Sequence, residues 1–202
     1  MTQGFFMSRF AVTLYQSGGV ILLGLFATPA TTAIYSVAER FYQAMQQVFS
    51  PIFGSVFPYM AKEKNIVLLL KITAGCFLLA LAVGLVLFEA GPYLILWWFG
   101  PSWSAAVDVL NVFSAAIVGI VLLAMSGYPL SAVLGTMHTA NISVVYGALL
   151  YICMTGLLIG TGHVTALAFA WALFLTELFV LAYRAIVLWP KAYQLARGRG
   201  RT

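Results

Sequence analysis

From Ala33 to Met60 apolar and polar positions separate at a helical period. Ile34, Val37, Ala38, Phe41, Ala44, Met45, Val48 and Ile52 form one stripe. Ser36, Glu39, Arg40, Gln43, Gln46, Gln47 and Ser50 form the other. The spacing predicts an amphipathic helix over 33–60. Five further segments, 10–26, 66–88, 104–126, 141–160 and 164–189, are apolar around nearly their whole circumference. A helix polar on one side, packed among helices apolar on all sides, predicts a wet interior. Its polar face is hydrogen-bonding rather than cationic. Helices that lie flat on a membrane usually carry several Lys or Arg there, so a cavity wall is the favoured reading. At 1.5 Å per residue the stretch reaches about 42 Å, enough to cross a bilayer. Pro51 lies inside it and cannot donate to the carbonyl of Gln47, which predicts a kink.

Composition sharpens the class. The chain is 63% hydrophobic and 7% charged, with mean hydropathy +1.01, against about 25% charged for a soluble domain. The apolar runs are continuous rather than alternating, which argues against a β-barrel. The expected fold is an all-α integral membrane protein, a six-helix transmembrane bundle over 1–189 with a basic cytoplasmic tail, 190–202. The links after the first, third and fifth helices contain no Lys or Arg. Arg9, Lys62, Lys64, Lys191, Arg197, Arg199 and Arg201 lie on the other side. By the positive-inside rule both termini are cytoplasmic. The net charge of +5 thus reports topology rather than nucleic-acid binding. The stretch Glu89–Trp103 is too short in apolar run to span and rich in aromatics, so it is expected along the outer interface. Cys76 and Cys153 sit in apolar runs and read as small core residues. Gly18, Gly19 and Gly24 would permit close helix approach. The N-terminus lacks the residue order of a cleavable leader.

Few residues can carry chemistry. Glu39, Arg40, Gln43, Gln46 and Gln47 are the substrate-cavity candidates: Arg40 suits an anionic or hydroxyl-rich substrate, and amides both donate and accept. Glu177 and Arg184 are two turns apart on one face of the last helix and read as a buried pair, as a proton-coupling site, or as structural hydrogen bonds to a neighbouring helix. Asp108, in the first turns of the fourth helix, is favoured there by the helix dipole. Lys71 is expected to snorkel to the near interface, and His163 to sit at a turn. There is no phosphate-cradling glycine loop, no paired His and no Ser/His/Asp set, so an enzyme, a metal site and a bound cofactor are not expected.

The stretch from Leu14 to Lys62 resembles the seventh and eighth helices of bacterial polysaccharide flippases, the lipid-linked oligosaccharide and O-antigen exporters of the multidrug/oligosaccharidyl-lipid/polysaccharide superfamily. The likeness is carried by Leu14-Tyr15, Gly24-Leu25-Phe26, Tyr35-Ser36, Ala38-Glu39-Arg40, Ser50-Pro51 and Phe57-Pro58-Tyr59. Phe99-Gly100-Pro101 and Thr176-Glu177 extend it. Thr161-Gly162-His163 departs from the small, glycine-rich turn more usual in the family. The resemblance implies the second of two six-helix lobes around a central cavity in the bacterial inner membrane. It also implies a missing first lobe or partner subunit. The implied activity is translocation of an undecaprenyl-diphosphate-linked oligosaccharide for O-antigen, capsule or exopolysaccharide synthesis, by alternating access. Coupling would be to H+ or Na+ rather than to a nucleotide. The other readings are a lobe of a multidrug exporter, which predicts a more apolar cavity, and a non-transporting remnant or assembly partner.

Overall fold

The computed structural model describes residues 2–199, without the side chains of 2–10, Leu14 and 195–199. The cationic groups of Arg9, Arg197, Arg199 and Arg201 therefore lie outside the described residues. Among the described residues all regular structure is helical: α1 Thr2–Phe26, α2 Pro29–Glu63, α3 Ile66–Phe99, a 3-10 turn Pro101–Trp103, α4 Ser104–Ser126, α5 Tyr128–Leu134, α6 Met137–Gly160 and α7 Ala166–Arg199. The all-helical fold is as expected. Among the described residues, four units are long and apolar enough to cross a membrane, namely α3, the Pro101–Leu134 unit, α6 and α7. The chain is a membrane protein. The described part of α1 holds a shorter apolar segment, Tyr15–Phe26, and amphipathic α2 does not qualify.

The helices start and stop for local reasons. Thr28 caps α2, its side chain accepting from the Thr31 amide at 3.2 Å, and Pro29 opens the helix where no donor is needed. Lys64 ends it in the left-handed region at φ 48°, its amide donating to the carbonyl of Met60. Asn65 then caps α3 by accepting from the amide of Leu68. At Gly100, φ 88° turns the chain from α3 into the 3-10 segment, a geometry that favours glycine.

α4 is the central post. It packs against α3, α2 and α7, while α6 packs against α1 and α7. Small residues allow the close approaches. A Cβ at Gly84 would meet the Ser114 carbonyl at 3.0 Å, and one at Gly91 would collide with Leu110. Gly19 has the role expected for the glycines of α1, since a Cβ there would lie 2.5 Å from the Tyr35 hydroxyl. Gly24 does not, because nothing lies within 4 Å of it.

Several expected boundaries move. α3 does not stop at 88. It continues through Glu89 and Pro92 to Phe99, so Glu89–Trp103 is mostly the last third of a 34-residue helix and not a separate interfacial segment. Pro92 removes a single donor, and Gly91 seats this end of α3 on α4. The aromatic band survives in a different form: Tyr93, Trp97 and Trp98 project outward from the helix, each more than 60% exposed. α2 runs through Pro51 and Pro58 to Glu63. The fourth expected helix is followed at Gly127 by the seven-residue α5. α6 begins at Met137 rather than at 141. α7 starts at Ala166 and passes Pro190 to Arg199, so the expected tail is largely helix. Cys76 is buried as expected. Cys153 is exposed, on the outward side of α6.

Candidate functional site

The polar face of α2 divides in two. Arg40, Gln43, Gln47 and Ser50 are exposed and recur at the spacing of one helix face. Glu39 is buried at 6% exposure, and Gln46 is half-buried at the edge. Arg40 is thus a surface group of this chain. The reason lies on the other side of the helix. Tyr35, Ala38, Tyr42, Phe49, Val56 and Met60 form the face that packs inward. The tyrosines, not the Ile/Val stripe alone, anchor it, and their turn carries Glu39 inward with them.

That inner face docks on Phe113 of α4. The Tyr42 ring stacks on it at 4.9 Å between centroids and 19° between planes, and the Tyr35 ring meets it edge-on at 5.5 Å. The geometry places the Tyr42 hydroxyl to donate to Glu177 Oε1 of α7 at 2.8 Å. One α2 residue thereby ties α4 and α7 together. Behind this face, four of the buried oxygens without a hydrogen-bond partner among the described residues are Tyr35 Oη, Glu39 Oε1, Tyr151 Oη and Glu177 Oε2. Tyr35, Tyr151 and Glu39 lie within electrostatic reach of one another. Buried polar atoms are nearly always bonded, so this layer under the polar face of α2 has unmet capacity for water or an ion.

Glu177 and Arg184 do not form the pair that their spacing suggests. Both are buried, and each finds other partners. Arg184 Nε donates to Ser143 Oγ at 2.8 Å, Nη1 to the Leu123 carbonyl at 2.6 Å and Nη2 to the Ala140 carbonyl at 3.4 Å. The middle contact has a local cause. α4 breaks at Gly127, whose amide turns back to Ala124 rather than Leu123, so the Leu123 carbonyl loses its helical donor. The guanidinium supplies one, and Gly127 leaves it space, since a Cβ there would sit 3.0 Å from Nη1. The sequence placed Arg184 on the right face, but nothing in it revealed the helix break that Arg184 serves. Lys71 is exposed in the second turn of α3. Asp108 is exposed, in a cavity between α4 and α7. His163 is exposed at its turn, its Nδ1 3.3 Å from Thr161 Oγ1. Among the described residues no group of three His, Cys, Asp or Glu converges as a metal site would require.

Residues 1–64, a stretch that contains α1 and α2, match the family model described as "Polysaccharide biosynthesis protein". The likeness to the polysaccharide exporters stands. A protein named "Putative O-antigen transporter" from Escherichia coli (strain K12) is 28% identical over 115 residues, covering 54% of this chain. The chain spans 28% of that relative's length. No solved structure matches. The family match covers the whole of α2, including both the exposed Arg40–Gln43–Gln47 face and the buried Tyr42–Glu39 face.

Proposed function

We propose that this chain forms one lobe of a flippase that moves a lipid-linked oligosaccharide across the bacterial inner membrane, and that α2 supplies part of the cavity wall. The observation carrying the proposal is the exposed row Arg40, Gln43, Gln47 and Ser50 on a helix of the family-matched segment. Hydrogen-bonding groups facing hydrocarbon are costly. Facing a second lobe across water they become a sugar- and anion-binding surface. Arg40 would meet the diphosphate, since a guanidinium matches phosphate oxygens in two-point contact, and the amides would meet hydroxyl groups. The remaining topology is six spans, with α1 and α2 completing the four strongly apolar units and both termini cytoplasmic. The mechanism is alternating access between the lobes, coupled to H+ or Na+. Glu39 and Glu177, each with one unbonded oxygen just behind the cavity face, are the coupling candidates.

The test is complementation of a strain that lacks the exporter, using the full native product. Arg40→Ala is expected to lower surface polysaccharide by about tenfold or more at unchanged membrane level, as loss of a phosphate-binding charge would. Arg40→Lys should recover part of it. Full export by the alanine variant would remove Arg40 from the substrate path. The coupling proposal has its own readout. Glu39→Gln should leave substrate binding to detergent-purified protein near wild type while export stops responding to the membrane gradient. An undiminished gradient response would exclude Glu39.

A further inference from the structure

A second polar site lies on the opposite side of α4. Asp108 and Asn111, three residues apart on one face, line a cavity of about 340 Å³ with Val112, Leu167, Trp171 and Phe174. Five residues separate Asp108 from Phe113, which is about 140° of rotation on a helix, so the cavity points away from the face where α2 docks. It is therefore separate from the proposed transport path.

The cavity sets a carboxylate beside aromatic rings, with an amide oxygen in its wall. Asn111 Oδ1 is buried and has no hydrogen-bond partner. Asp108 is exposed into the cavity, and no hydrogen bond or ion pair to its side chain is present among the described residues. The rings of Trp171 and Phe174 stand edge to face at 5.7 Å. Its position is defined by the helix ends. Asp108 lies just inside the start of α4 and Trp171 just inside the start of α7. Both are at the end of the bundle where Tyr93, Trp97 and Trp98 of α3 project outward. Such a band of aromatics marks the headgroup level of a bilayer. The surroundings along α7 are apolar and outward-facing, with Leu167, Leu175 and Leu178 all exposed, so a ligand enters from the lipid side.

We infer that this cleft between α4 and α7 binds the primary ammonium headgroup of a membrane phospholipid. A carboxylate at the edge of hydrocarbon is costly unless a cation meets it. An ammonium carries three donors: Asp108 accepts directly, the unbonded Oδ1 of Asn111 in the cavity wall accepts after a side-chain rotation, and the charge is attracted to the face of an indole. The acyl chains lie along the leucines of α7. Anionic headgroups are repelled by Asp108. A trimethylated headgroup keeps the charge but has no N–H to give, so it loses the oxygen contacts and retains only the ring.

The test is native mass spectrometry of the full chain in detergent, with phosphatidylethanolamine, phosphatidylcholine and phosphatidylglycerol of identical acyl chains at equal concentration. The expected result is about tenfold more retained phosphatidylethanolamine than phosphatidylcholine, the range of one desolvated charge-assisted contact. Asp108→Asn should bring that ratio close to one, and Trp171→Leu should lower retention of both amine lipids. Circular dichroism checks that each variant is folded. Equal retention of the three lipids by the wild type would overturn the inference, and so would a preference that survives Asp108→Asn. Displacement of the lipid by free ethanolamine at the lipid's own concentration would make this a solute site and overturn the lipid assignment.

Discussion

Arg184→Ala is expected to lower the stability of the folded bundle by about 3 kcal/mol. Interhelical hydrogen bonds in membrane proteins contribute roughly 0.6 kcal/mol each and reach about 1.7. Arg184 makes three in one plane, to Ser143, Leu123 and Ala140, and truncation adds a cavity term. Ser143 is not orphaned, because its hydroxyl donates to the Ala140 carbonyl at 2.8 Å. The Leu123 carbonyl is left with the Ser126 hydroxyl at 3.3 Å, a weaker partner. Arg184 has no buried acid as a mate, so Arg184→Met, which keeps most of the volume, leaves no unpaired counter-charge and should cost about half as much. Denaturation by SDS of the purified chain in mild detergent measures both. A wild-type midpoint for the alanine variant would show that the α4–α5 break holds without the guanidinium. Arg184 would then be free for a coupling role.

The second large effect is at the seam between α6 and α7. A Cβ on Gly147 would lie 2.5 Å from Val180 Cγ2, closer than any relaxed contact. Gly147→Leu should cost about 3 kcal/mol or separate the two helices, since overpacking a filled interior forces backbone shifts. Gly147→Ala should cost about 1–2 kcal/mol, and Val180→Ala in the same chain should relieve most of that. The relief separates steric conflict from the helix propensity of alanine, which by itself favours the substitution. Gly156 on the same helix is the control: nothing lies within 4 Å of it, so Gly156→Ala should be neutral or slightly stabilising. If the two alanine variants behave alike, the close contact of Gly147 is not what holds α6 to α7.

Much of the architecture was legible because it follows from local rules. A long run of apolar residues in lipid must satisfy its own backbone, and only helix does so within one segment. The helix over 104–126 and the ends of the first and fifth helices at Phe26 and Gly160 therefore lie where hydropathy puts them. The extension of α3 was hidden because the aromatic-rich run that holds Glu89 and Pro92 is too short to span by itself. Their cost is offset by packing of Gly84 and Gly91 on α4, a contact with residues that follow in the chain. The split of the α2 polar face was hidden for a related reason. Periodicity places Glu39 beside Arg40, about 100° apart, but the inward direction of the helix depends on where Phe113 waits for Tyr35 and Tyr42. Cys153 shows the converse. An apolar segment is buried equally well by lipid as by protein, so membership of such a run says nothing about which face meets the core.

The sequence by itself therefore determined that this is a helical membrane protein, where most helices lie, and that α2 alone among the long helices has a distinct polar side. The tertiary structure decided which residues of that side turn inward, that Glu177 joins Tyr42 rather than Arg184, and that Arg184 closes a helix break. The physical reason is range. Backbone satisfaction and helical period act within a few turns of one segment, whereas the partner of a buried charge is chosen by the packing of helices distant in the chain.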